Sequence, residues 1–162
     1  MFREMRRKKQ LLSKDETIEI LQRGSSGVLA VSGDDNYPYA VPLSYVYADD
    51  KIYFHTAKAG HKIDSMISNN KVSFCVIDKD QIVPDEFTTY YRSAIAFGHA
   101  RFLDGEEKKE ATYLLTKKYA PQSPDEKIYD AIQRNWPTLS VVEISIDYVT
   151  GKQASELIPQ KK

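Results

Sequence analysis

The chain has 162 residues, with 23 Lys and Arg against 23 Asp and Glu, so its formal net charge is zero at pH 7. That length suits one domain with a core of its own, and the balanced charge gives no global field to draw in nucleic acid or a membrane surface. A single cysteine, Cys75, excludes an intramolecular disulfide framework, and no apolar run is long enough to span a membrane.

The chain opens with Phe2-Arg-Glu-Met-Arg-Arg-Lys-Lys9, read as a solvated basic tail over residues 1–12. No apolar segment follows it to make a signal peptide, so a cytoplasmic protein is expected. Ser13-Lys-Asp-Glu16 is a capping-box pattern. Ile18, Leu21 and Gly24 complete a short helix with a stop.

Gly27 to Ser32 reads as an apolar strand, closed by the turn cluster Gly33 to Asn36. Tyr39 to Tyr47 follows as one strand, with Tyr39, Val41, Leu43, Tyr45 and Tyr47 on one face. Pro42 inside it cannot donate to a ladder and marks an edge, a bulge or a close approach to the backbone. Ile52 to Thr56 alternates as a half-buried strand, and with its predecessors suggests an antiparallel meander.

Gly60 then breaks the chain, and Ile63, Met66 and Ile67 recur at helical spacing. Thr56, Lys58, His61 and Lys62 lie between strand and helix. A hydroxyl, free N–H groups and ammonium charges at a helix start can hold a phosphate; an ordinary strand-loop-helix with solvated lysines is the competing reading.

Lys71 to Asp78 is a further strand, Asp80 to Glu86 reads as a loop, and Phe87 to Leu103 is a long strand or a pair. Ala94, Ala96, Gly98 and Ala100 form a small-residue face that would admit a helix, a flat ring or a second subunit. Glu106 to Tyr119 is a helix with Ala111, Leu114, Leu115 and Tyr119 on one stripe. Ser123-Pro-Asp-Glu126 starts another, ended by Trp136-Pro137. The last strand, Leu139 to Tyr148, is expected to turn Val142, Ile144, Ile146 and Tyr148 inward. The expected division is one domain over 13–150 and a polar tail over 151–162.

Antiparallel strands with helices outside them suit a small barrel. In this order the chain resembles the pyridoxamine 5′-phosphate oxidase-like split barrels that bind flavin mononucleotide (FMN), and among them the nitroimidazole-resistance (Nim) proteins. The residues carrying the resemblance are Met5-Arg-Arg-Lys8, Tyr37-Pro-Tyr-Ala-Val-Pro-Leu-Ser-Tyr45, Ile52-Tyr-Phe-His-Thr-Ala57, Gly60-His-Lys62, Val72-Ser-Phe74 and Tyr91-Arg-Ser-Ala-Ile-Ala-Phe-Gly98, with Trp136 and the strand after it.

The resemblance implies a six-stranded antiparallel split β-barrel, mostly β with flanking helices, acting as a homodimer with flavin sites at the interface. It places Val41, Pro42, Leu43 and Ser44 against the flavin ring. Phe54, His55, Thr56, Ala57, His61 and Lys62 hold the ring edge and phosphate, and Ser93 and Trp136 line the pocket, some of these residues coming from the partner chain. No basic pair for a second, substrate phosphate is evident.

Three functions compete: an FMN-dependent oxidoreductase of a small organic molecule, a nitroaromatic being one candidate, with His55 as catalytic residue; a non-catalytic flavin- or haem-binding module; and an RNA-associated barrel using the basic tail, against which the neutral charge speaks. No metal is expected, because His55 and His61 do not sit at ligand spacing. Cys75 reads as buried packing.

Overall fold

Ser13 begins the first helix as its pattern predicts. In the computed structural model, which describes residues 2–159, the Ser13 hydroxyl accepts the Glu16 N–H at 3.2 Å, and Glu16 Oε2 accepts the Ser13 N–H at 2.9 Å. Helix α1 (Lys14–Arg23) follows, with Ile20 and Leu21 fully buried. The second expected cap does not form. Pro124 is extended, at ψ 144°, so α4 (Asp125–Asn135) starts one residue later without a side-chain cap from Ser123.

The remaining elements are β1 (Gly27–Ser32), β2 (Pro38–Leu43), β3 (Val46–Ala48), β4 (Lys51–Thr56), α2 (His61–Ser68), β5 (Lys71–Val83), β6 (Thr88–Leu103), α3 (Gly105–Tyr119) and β7 (Ser140–Gln153). The strands form one antiparallel sheet in the order β2-β1-β5-β6-β7-β4-β3. This is an open, split-barrel sheet of seven strands where six were expected. Its core holds Leu29, Tyr45, Ile52, Phe54 and Phe74 at 0% exposure. Each such side chain contributes roughly 1.5–3 kcal/mol of burial.

The extra strand comes from a break inside Tyr39–Tyr47. β2 ends at Leu43 and β3 begins at Val46, and Tyr45 sends its hydroxyl inward to donate to Leu21 O at 2.7 Å. Tyr39, Val41, Leu43 and Tyr47 still pack against the core that Tyr45 enters, as expected. The meander is interrupted, because β2 and β3 lie at opposite ends of the strand order. Pro42 is tolerated on β2 because that strand is an edge.

Three more differences have local causes. β5 continues through Asp80 to Val83, since Gln81, Ile82 and Val83 pair with Tyr90, Thr89 and Thr88; the expected loop shrinks to a turn at Pro84–Glu86. A bulge on β7 pairs Gly98 with Ile146 and Phe97 with Tyr148, leaving Asp147 extra. The bulge reverses the facing, so Val149 packs on the core and Tyr148 stacks outside with Phe2 at 5.0 Å. β7 also runs on to Gln153, past the expected end at Tyr148.

The small-residue face of β6 turns into the protein's own core, where Ala94, Ala96 and Ala100 are buried. A Cβ on Gly98 would collide with Ser145 O across the bulged pairing. The opposite, outer face carries half-buried Val28, Ala30, Ile95 and Phe97, exposed Ile77, and a Cys75 that is half-buried rather than enclosed. Residues 2–12 lie against the sheet: Phe2 sits 5.5 Å from the Phe97 ring, Leu11 bridges to Lys152, and Leu12 N–H donates to Gly151 O. Residues 1 and 160–162 of the two expected tails lie outside the described residues.

Candidate active site

β4 ends at Thr56, and α2 begins five residues later behind Gly60, whose φ of 127° is left-handed backbone that glycine adopts without strain. Ile63 and Met66 anchor α2 in the core, which holds its first turn beside the end of β4. Gly60 O accepts from Ile63 and Asp64, so the amides of His61 and Lys62 precede the helical ladder and stay available.

A cleft of about 840 Å³ opens here, with Leu43, Ser44, His55, Thr56, Ala57 and Lys62 on one wall. The other wall comes from α3 and α4 through Leu115, Thr116, Tyr119, Ala131 and Ile132. Its size lies within the usual range for small-molecule sites, roughly 300–1,000 Å³. Lys62 makes no ion pair among the described residues, and the Ser44 and Thr56 hydroxyls have no protein partner there. The α3 side differs: Thr112 donates to Lys108 O and Thr116 to Thr112 O. One end of the cleft therefore offers hydrogen-bond donors and a cation, and the other offers apolar surface.

Six of the twelve predicted site residues meet in this cleft, and six do not. Val41 packs on the core and Pro42 pairs with Val28 on the edge of the sheet. Phe54 is wholly inside the core. His61 turns away: it stacks on Tyr39 at 4.2 Å and its Nε2 accepts the Asp34 N–H at 3.4 Å. Ser93 lies on the outer face of β6, opposite Ile77. Trp136 lies past the end of α4, under Lys108 Nζ at 3.9 Å. Burial pushes the Lys108 ammonium below its ordinary value, and its hydrogen bond to Trp136 O at 3.2 Å ties α3 to the end of α4.

The sequence reading missed the helical wall. Thr112, Leu115, Thr116 and Tyr119 recur at helical spacing and would have shown it, had polar residues been counted with apolar ones. Instead Leu114, placed on the buried stripe by periodicity, is 39% exposed, and Lys108 is buried.

Further along the His55 face of β4, Tyr53 pairs with Glu143, which is 3% exposed. Arg101, Lys51 and Ser145 all donate to its carboxylate, at 2.8 to 3.1 Å. Burial raises the Glu143 pKa, but these bonds outweigh it and hold the carboxyl below its ordinary value. The cluster braces the sheet beneath α3. No group of three or more His, Cys, Asp or Glu suited to a metal occurs among the described residues, and no helix there is long and apolar enough to cross a membrane.

The sequence profile of the Pyridoxamine 5'-phosphate oxidase family matches residues 13–153. The chain belongs to the pyridoxamine 5′-phosphate oxidase family. No curated protein matches it. Solved structures that share the fold of this family member include a candidate 5-nitroimidazole antibiotic resistance protein of Bacteroides thetaiotaomicron VPI-5482, at 22% identity and a TM-score of 0.72, covering 88% of this chain and 86% of that one. A FAD-binding protein of Mesorhizobium loti is 26% identical, with a TM-score of 0.66 over 90% of this chain and 97% of its own. The FAD and heme binding protein of Mycobacterium smegmatis is 18% identical, with a TM-score of 0.72 over 95% and 77%.

Proposed function

We propose that this family member is a flavin-binding oxidoreductase that holds FMN in the α2–β4 cleft, works as a homodimer, and acts on a small organic molecule. The observation that carries the reading is the convergence of Thr56, the unpaired Lys62 and the free first amides of α2 on one end of the cleft. Those groups fit a phosphate: an ammonium charge, a hydroxyl and free helix N–H donors. The flavin-named neighbours and the family membership point the same way.

A bound flavin supplies the electron transfer, and the protein supplies binding, orientation and electrostatics. Lys62 and Thr56 anchor the anionic end. The Leu43–Ser44 backbone sits where the edge strand stops, so a flat ring can approach it without competing for ladder bonds. His55 projects from β4 on the face opposite buried Phe54, is exposed, and lines the same cleft. There its ring N–H can reach an acceptor bound in the cleft and serve as proton donor. Among the lining residues Lys62 is the only Lys or Arg, which leaves no cation for a second phosphate. The substrate is accordingly a molecule without a phosphate of its own, a small nitroaromatic among them.

An absorption spectrum of the purified protein tests this. Flavin bands with phosphate-dependent affinity support it, and a protein that takes up no flavin on incubation with excess FMN overturns it. A Soret band instead would favour the haem-binding alternative raised by the Mycobacterium smegmatis neighbour.

A further inference from the structure

The β5–β6 hairpin outruns the sheet. β1 pairs with β5 only as far as Cys75, and β7 with β6 only as far as Arg92, so the pairs from Gln81–Tyr90 to Val83–Thr88 form a ribbon with no strand on either side among the described residues. A two-stranded ribbon alone in water is marginally stable. Its tip is also apolar where solvent should favour polar residues: Ile82 is 74% exposed and Phe87 98%. Phe87 is held at φ 51°, a left-handed conformation that is uncommon for a bulky side chain. Two acids, Asp85 and Glu86, directly precede this aromatic in the turn, and both are exposed.

A groove of matching character lies on the outer face of the same sheet. It has a volume of about 680 Å³, a floor of Phe2, Ala30 and Phe97, and Lys71 and His99 at its rim. Asp147, the one acid among its lining residues, is already paired with His99 at 2.7 Å. Lys71 is exposed and makes no ion pair among the described residues, and exposed Arg3 follows Phe2 directly. Aromatic floor and basic rim complement an aromatic tip preceded by two acids.

We infer that the hairpin tip of one copy of this chain seats in the Phe2–Phe97 groove of a second copy, Phe87 on the aromatic floor and Asp85 and Glu86 on the basic rim. The inference rests on the homodimer part of the function proposed above. Geometry favours a second copy over any other occupant. Phe87 immediately precedes β6 and Phe97 lies on it ten positions further along, or about 33 Å at strand rise. A two-fold axis beside the Ile77–Ser93 pair, close to midway between them, turns the strand end for end and carries each tip to the other's groove. Ile77, apolar and 63% exposed, then lies at the axis and is covered by its own copy.

The test reads mass by light scattering and sedimentation, with absorbance recorded on the same samples. Wild type should be a dimer. Phe87→Asp, at an exposed tip, should keep its melting curve and raise the dimer Kd by roughly thirtyfold or more, the effect of losing an interface hot spot. D85K/E86K and K71E should each weaken the dimer, most at low salt where charges are least screened. Mixing those two proteins should restore a dimer, because each basic tip then meets an acidic rim. A monomeric wild type, unchanged Kd in all three variants, or a mixture no tighter than its parts would each overturn the inference. Absorbance keeps the two readings apart: a flavin-free wild-type dimer that Phe87→Asp dissociates removes the cofactor and leaves the latch standing.

Discussion

Tyr119 brackets the backbone of Tyr45 from the C-terminal end of α3. Its hydroxyl oxygen accepts the Tyr45 N–H at 2.9 Å and lies 2.9 Å from Tyr45 O and 2.6 Å from Ser25 O, to which it can donate. The amide of a residue between two strands is thereby satisfied by a side chain 74 positions away, and the one phenolic proton is shared between two nearby carbonyls, which helps β2 to end at the cleft. Lys118 adds to the clamp with its Nζ on Gly24 O and 4.1 Å from the Tyr45 ring.

Tyr119→Phe therefore leaves the Tyr45 N–H without its partner. The expected cost is about 1–3 kcal/mol of stability, read by denaturant melts, with faster amide exchange confined to Ser44–Val46. Flavin affinity should fall with it, because Ser44 borders both. Wild-type exchange at Tyr45 would show that the bracket does not hold the break.

Lys62→Ala removes the cation from the anionic end of the cleft. A lost charge-assisted hydrogen bond costs roughly 1.5–3 kcal/mol, so FMN affinity should fall about tenfold to a hundredfold. Riboflavin, which has no phosphate, should bind both proteins alike. Equal FMN titrations of wild type and mutant would take Lys62 out of the site.

His55→Ala separates chemistry from binding. If the imidazole donates a proton to the acceptor, the mutant keeps its flavin and reoxidises on the order of a hundredfold more slowly with an organic acceptor. A wild-type stopped-flow rate at full flavin occupancy would end the catalytic role, and loss of flavin would make His55 part of the cleft wall.

Acid should weaken the fold through Glu143. Its carboxyl titrates lower in the folded chain than in the unfolded one, so the stabilisation is complete above the ordinary carboxylate value of 4.5 and is lost as pH falls through the depressed one. Glu143→Gln should cost roughly 1.5–3 kcal/mol at pH 7, the range for hydrogen bonds to a charged group, and progressively less as the pH is lowered into the acid range. Urea midpoints across that range check it; a difference that persists at low pH would point to packing rather than charge.

Local pattern was enough for much of the fold. Capping at Ser13, alternation in Ile52–Thr56 and the Gly60 stop each act within a few residues, so they are legible without the rest of the chain. The meeting of Thr56 and Lys62 at one cleft was legible for the same reason, since a short loop separates them. What only the tertiary structure decided depends on contacts between distant segments. The break at Ser44–Tyr45 follows from Tyr119 and Leu21, the outward facing of Tyr148 from a bulge set by pairing with β6, and the burial of Lys108 from the packing of α4. Phe54 and His61 left the cleft because a strand's alternation and a helix's rotation send neighbouring side chains in different directions. Sequence adjacency places their backbones beside the site, and the core and Tyr39 claim their side chains.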